Sequence, residues 1–109
     1  MKALLDTSVV IAADIGPLQG DLAISCVTLA ELNFGVLVAK NQQARAERLR
    51  RLLALQRAFH ALPIDEAAAA SYGQIAAAVA ESGRNPRPRS MDLLIAATAH
   101  AQQARVYTR

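Results

Sequence analysis

Short apolar runs alternating with segments of helical periodicity constrain this chain more than anything else in its sequence. Residues 1–5, 23–27, 59–64 and 106–108 are too short for helices and sit between longer amphipathic or Ala-rich stretches, which predicts buried strands. The intervening periodicity predicts helices over residues 8–14, 28–39, 42–57, 66–82 and 91–103. Gly16, Pro17 and Gly20 mark a loop, and residues 84–90 a basic loop holding Pro86 and Pro88. Strands that alternate with helices build a parallel sheet covered on both faces. The expected fold class is therefore α/β, a short parallel sheet flanked by helices in three layers. At 109 residues the chain has material for a single domain and a single core.

Local signals set the expected boundaries. Thr28-Leu29-Ala30-Glu31 has the spacing of a capping box and predicts a helix start. Leu49, Leu52, Leu53 and Phe59 form an apolar stripe opposite Arg45, Arg48, Arg50, Arg51 and Arg57, which read as a solvated face. Asp65 is placed to cap the next helix, whose stripe is Tyr72, Ile75 and Val79 and whose stop is Gly83. Ser90 is placed to cap a last helix, apolar almost all round and so expected to be buried.

Within this frame three acidic residues are out of place. Asp6 in "LLDTSVVIA", Glu31 in "VTLAELNFGV" and Asp92 in "RSMDLLIAATA" each sit among apolar residues, where an unpaired carboxylate is costly. Each has a local explanation as a cap, a turn residue or a complement to a helix dipole. Together they follow strands or open helices at equivalent topological positions. In open α/β sheets, sites form beyond the carboxyl ends of the strands, so the three can converge. Clustered carboxylates must protonate or take a cation. Their hard oxygens select Mg²⁺ or Mn²⁺, and without a His or Cys cluster zinc is disfavoured. A carboxylate-held cation beside a basic loop suits phosphodiester hydrolysis, because the metal activates water and neutralises charge on the attacking and leaving oxygens.

Composition narrows the alternatives. A net charge of +3, carried mainly by Arg, favours a polyanionic partner. The single Cys26 excludes an internal disulfide, suits a reducing cytoplasm and reads as a small buried hydrophobe. No run approaches the ~18 apolar residues of a membrane span, and Asp6 interrupts a would-be signal peptide. His60 reads as strand packing and His100 as part of the buried helix. A receiver domain would need a lysine late in the fold, and the lysines are Lys2 and Lys40. A dehalogenase-type phosphatase would want Asp where Ser8 stands.

The stretches "LLDTSVVIA", "VTLAELNFGV" and "MDLLIAATAHAQQARVYTR" resemble the PIN-domain nucleases, specifically the VapC-type toxins of bacterial toxin–antitoxin systems, over essentially the whole chain. The resemblance implies a PIN-like three-layer fold and a Mg²⁺-dependent (or Mn²⁺-dependent) endoribonuclease acting on structured RNA such as tRNA or rRNA. It implies Asp6, Glu31 and Asp92 as metal-binding, catalytic acids, with Thr7 and Thr108 as hydroxyl residues beside them. Arg84, Arg87 and Arg89 become candidates for holding RNA phosphates. The implied partners are a VapB-type antitoxin that blocks the site and a second toxin copy in a homodimer, all in the cytoplasm and without a membrane. The family pattern also has an acidic residue just past the motif matched by Tyr107-Thr108-Arg109. Residues 1–109 are thus expected to form a single PIN domain without its C-terminal tail, with three acids in place of four. A catalytically weak or inactive PIN-fold module that engages an antitoxin or RNA is the alternative function.

Overall fold

The structure is a computed structural model and describes residues 2–6 and 21–107. In chain order the described elements are β1 (Lys2–Leu5), β2 (Asp21–Ser25), α1 (Cys26–Leu37), α2 (Gln42–Ala58), β3 (His60–Leu62), α3 (Glu66–Glu81), a 3₁₀ turn (Arg87–Arg89), α4 (Ser90–Ala101) and β4 (Arg105–Tyr107). The helix expected over residues 8–14, the loop at Gly16, Pro17 and Gly20, and both Thr7 and Thr108 lie outside the described residues.

The strands form one parallel sheet in the order β3-β2-β1-β4. Register follows the side-chain period of two. Leu4 pairs with Ala23 and Leu5 with Ile24, so adjacent residues of each strand serve opposite faces. On one face Leu4, Ala23 and Leu62 pack with Ile95 and Ala99 of α4 and Val27 of α1. On the other, Leu5 and Ile24 pack with Leu29 and Leu32 of α1, Leu55 of α2 and Phe59. Leu4, Leu5 and Ile24 are essentially inaccessible to water, and each such burial contributes about 2–3 kcal/mol. α3 covers α4 from outside. The three-layer parallel α/β arrangement is as the sequence predicts.

Several boundaries differ from the sequence reading, each for a local reason. The second strand spans Asp21–Ser25, not residues 23–27, because Ser25 caps α1: its Oγ accepts a hydrogen bond from the Val27 N–H at 3.0 Å. The helix therefore begins at Cys26. Thr28 is inside it and Glu31 lies in its second turn, so no capping box forms. Cys26 is half-buried as the first residue of α1, not a core residue.

In α2 the inward stripe is Leu52, Leu55 and Phe59, while Leu49 and Leu53 face outward. That helix packs mainly on α1, so only one narrow stripe finds a partner. Ser90 does not cap α4. Its Oγ donates to the Arg87 carbonyl oxygen at 2.7 Å, closing the 3₁₀ turn that leads into the helix. His60 is exposed rather than packed, and His100 is exposed near the end of an otherwise largely buried α4.

The remaining helix ends behave as expected. Asp65 Oδ1 accepts from the Ala68 N–H at 2.9 Å. Gly83, with φ +87°, carries the Arg84 N–H back to the Val79 carbonyl and its own N–H to Ala80, a Schellman stop. α4 ends in the same motif two residues earlier than its periodicity implies. There Gln103 takes the left-handed position (φ 54°), and the Ala104 N–H reaches the Ala99 carbonyl at 2.8 Å.

Candidate active site

Because all four strands run the same way, their carboxyl ends share one edge. After β1 the chain adds β2 and β3 on one side, then returns to place β4 on the other side of β1. The order thus reverses at β1, the position at which open α/β sheets leave a crevice. Asp6 follows Leu5 directly at that point and is half-buried.

Glu31 and Asp92 reach this edge from different layers. The buried Ser25 cap launches α1 from the end of β2 and sets the phase that puts Glu31, half-buried, in its second turn. The 3₁₀ turn Arg87–Arg89 delivers Asp92 into the first turn of α4, where it is exposed and complements the helix dipole. Glu31 and Asp92 line one cavity of about 330 Å³ together with Arg87, Pro88, Arg89, Ser90 and Met91. The structure thus brings two of the three expected acids to a common space. Among the described residues no three His, Cys, Asp or Glu side chains form a group able to hold a metal.

Of the basic residues, Arg87 and Arg89 stand in the cavity wall beside the acids, as expected. Arg84 is exposed just after the α3 stop and does not line it. The histidines are elsewhere: His100 Nδ1 lies 3.0 Å from Ser71 Oγ, joining α4 to α3.

A second, larger groove of about 650 Å³ shares Glu31 and Met91 with this cavity and is lined besides by Leu32, Phe34, Gly35, Arg48 and Arg51. The sequence reading treated the α2 arginines as a solvated face and missed this wall. Arg48 Nη1 donates to the Gly35 carbonyl at 2.6 Å and Arg45 Nη2 to the Leu37 carbonyl at 3.2 Å, so both cap the last turn of α1. The available signal was the spacing of Arg45, Arg48 and Arg51, which at i, i+3, i+6 share one side of a helix.

A short parallel sheet between helical layers, with acids delivered to its carboxyl edge, is the arrangement of a PIN domain. The chain belongs to the PIN-domain family, whose match extends over residues 3–109, and within it to the VapC type. Ribonuclease VapC5 of Mycobacterium tuberculosis (strain ATCC 25618 / H37Rv) is 40% identical over 111 residues, covering 96% of this chain and 80% of that protein. Ribonuclease VapC8 of Mycobacterium tuberculosis (strain CDC 1551 / Oshkosh) is 38% identical over 100 residues, 88% of each. The crystal structure of VapBC-5, a member of the VapBC family of toxin–antitoxin systems from Mycobacterium tuberculosis, superposes with a TM-score of 0.83 at 40% identity, covering 96% of this chain and 82% of that one. No helix among the described residues is long and apolar enough to cross a membrane.

Proposed function

We propose that the chain is the toxin of a toxin–antitoxin pair, a Mg²⁺-dependent endoribonuclease that works at Glu31 and Asp92 with Asp6 beside them. The observation that carries this reading is the shared cavity of Glu31 and Asp92, walled by Arg87 and Arg89, in a chain 40% identical to a protein named as a ribonuclease. The donor set fits a hard cation. Mg²⁺ keeps several waters and takes one or two carboxylates, so the Glu31–Asp92 pair suffices as its protein ligands, with Asp6 as a third. When bound, the ion supplies an acidified water and positive charge at the phosphodiester.

The chain's own residues do the rest. Arg87 and Arg89 pair with backbone phosphates and hold the strand against the acids. Asp92 and Glu31, on separate helices, would hold the cation beside that strand. Binding by phosphate contacts on this scale is salt-dependent and carries no base specificity of its own. An antitoxin that covers this edge would silence the toxin, a partner suggested by the likeness to VapBC-5, a member of the VapBC family of toxin–antitoxin systems. A second copy of the chain completes the assembly we propose.

Cleavage of a tRNA or rRNA fragment with Mg²⁺ and with EDTA tests the reading. Glu31→Gln and Asp92→Asn should each reduce the rate by at least ~10²-fold, on the scale of losing a principal electrostatic contribution to the transition state. Undiminished, Mg²⁺-dependent cleavage by both variants would overturn it. A second reading is favoured by the arginines that line both cavities: a PIN-fold module that binds RNA or an antitoxin and cleaves poorly. Tight RNA binding by the unmutated chain without Mg²⁺-dependent cleavage would decide for that one.

A further inference from the structure

Between the stop of α3 and the start of α4 the chain runs Arg84-Asn85-Pro86-Arg87-Pro88-Arg89-Ser90. Two side chains in this stretch direct their hydrogen bonds at the same residue. Asn85 Oδ1 accepts the Arg87 N–H at 3.2 Å. Ser90 Oγ donates to the Arg87 carbonyl oxygen at 2.7 Å, and the Ser90 N–H donates to it as well. Both backbone polar groups of Arg87 are thereby engaged. The Arg89 N–H closes the turn on the Pro86 carbonyl at 3.0 Å, and Pro86, at φ −72°, and Pro88 restrict the backbone on either side.

Helix stability alone does not call for this arrangement. α1, α2 and α3 each begin after a side-chain cap, supplied by Ser25, Asn41 and Asp65. Ser90 has the chemistry of such a cap, yet its hydroxyl turns back to Arg87 and α4 starts without a side-chain cap. Proline also biases the residue before it toward extended backbone, whereas the 3₁₀ turn begins at Arg87, just before Pro88. The turn is thus held by Asn85 and Ser90 rather than by local preference. What it holds is an arginine in the wall of the Glu31–Asp92 cavity. An arginine side chain is long, so a modest rotation at its Cα carries the guanidinium far. Fixing that Cα removes freedom that phosphate binding would otherwise have to order.

We propose that Asn85 and Ser90 are positioning residues of the site: they clamp the backbone of Arg87 from both sides and so hold its guanidinium where an RNA phosphate meets the acids, without contacting the RNA. The proposal rests on the reading of Arg87 as a phosphate contact. It adds that the affinity Arg87 supplies depends on two uncharged side chains.

Double-mutant cycles separate positioning from general support. A fluorescein-labelled tRNA fragment is titrated with the full chain in EDTA, so that no turnover intervenes, and followed by anisotropy. Ser90→Ala and Asn85→Ala should each weaken binding by about fivefold, the equivalent of one neutral hydrogen bond. In the Arg87→Ala background neither should have a further effect. Ser90→Thr, which keeps the hydroxyl, should restore the affinity of the unmutated chain, and Asn85→Ser, whose Oγ makes the same turn more weakly, should restore part of it. Thermal melts establish that each variant is folded. Were Ser90→Ala to unfold, Asn85→Ala, at an exposed residue, carries the same cycle.

Equal weakening by the two alanine variants with and without the Arg87 guanidinium would overturn the proposal, because Asn85 and Ser90 would then act on the RNA or on the fold directly. So would unchanged affinity in both while Arg87→Ala alone weakens binding. Either result leaves the phosphate role of Arg87 standing. Undiminished binding by Arg87→Ala would instead overturn that role, and the positioning with it, so the two failures are told apart.

Discussion

The guanidinium of Arg48 donates to the Gly35 carbonyl oxygen across 2.6 Å and so ties α2 to the last turn of α1, one turn beyond Glu31. The bond satisfies a carbonyl that the helix end would otherwise leave to water. Arg45 does the same for Leu37. Replacing Arg48 with Ala should cost about 1 kcal/mol, the net worth of one such bond at an exposed position, read from the urea midpoint. A loss well beyond that would mean Arg48 supports packing as well.

Ser25 should matter more, because it is fully buried where β2 becomes α1. Ser25→Ala removes the acceptor for the Val27 N–H and should destabilise the protein by about 1–2 kcal/mol. The phase of α1 positions Glu31, so Mn²⁺ should also raise the melting temperature less in this variant than in the unmutated chain. An unchanged Mn²⁺ response would show that the first turn of α1 holds its phase without the cap.

Neutralising Arg87 and Arg89 should weaken RNA binding and reduce its salt slope by roughly 0.7 per residue. Arg84→Ala should do much less, since Arg84 does not line the cavity that Arg87 and Arg89 wall. Equal effects from all three would place the RNA further along the basic loop than the acids.

Gln103 holds a left-handed backbone position at the end of α4. A side chain there costs about 1 kcal/mol, and glycine removes most of that penalty. Gln103→Gly should therefore raise the melting temperature by a few degrees, at roughly 4–8 °C per kcal/mol for a domain of about this size. No rise in a calorimetric scan would mean that glycine's extra entropy in the unfolded chain cancels the relief.

The sheet and its covering helices were legible because strand-length apolar runs and helical periodicity are local properties, and Asp65 and Gly83 are local stops. Where two caps competed in one stretch, the sequence could not rank them. Ser25 and Thr28 both precede suitable residues, and the difference is that Ser25 ends a strand already fixed by pairing with β1 and β3. The acid pair Glu31 and Asp92 was readable from polarity in apolar frames. The groove was not, because Arg48, Arg51 and Phe34 meet only when α1 and α2 pack against each other.

Glu31 stands in the walls of both cavities, and if a cation and RNA bind there as proposed, that sharing would impose a thermodynamic reciprocity. A cation that neutralises Glu31 from one side removes a repulsive charge from a polyanion on the other, and the polyanion in turn draws the cation in. The factor by which each improves the other's binding must be the same. Measured apart, the two affinities would both understate what the ternary complex achieves. Glu31→Gln would remove this route of coupling, and the factor by which metal and RNA improve each other's binding should shrink in that variant.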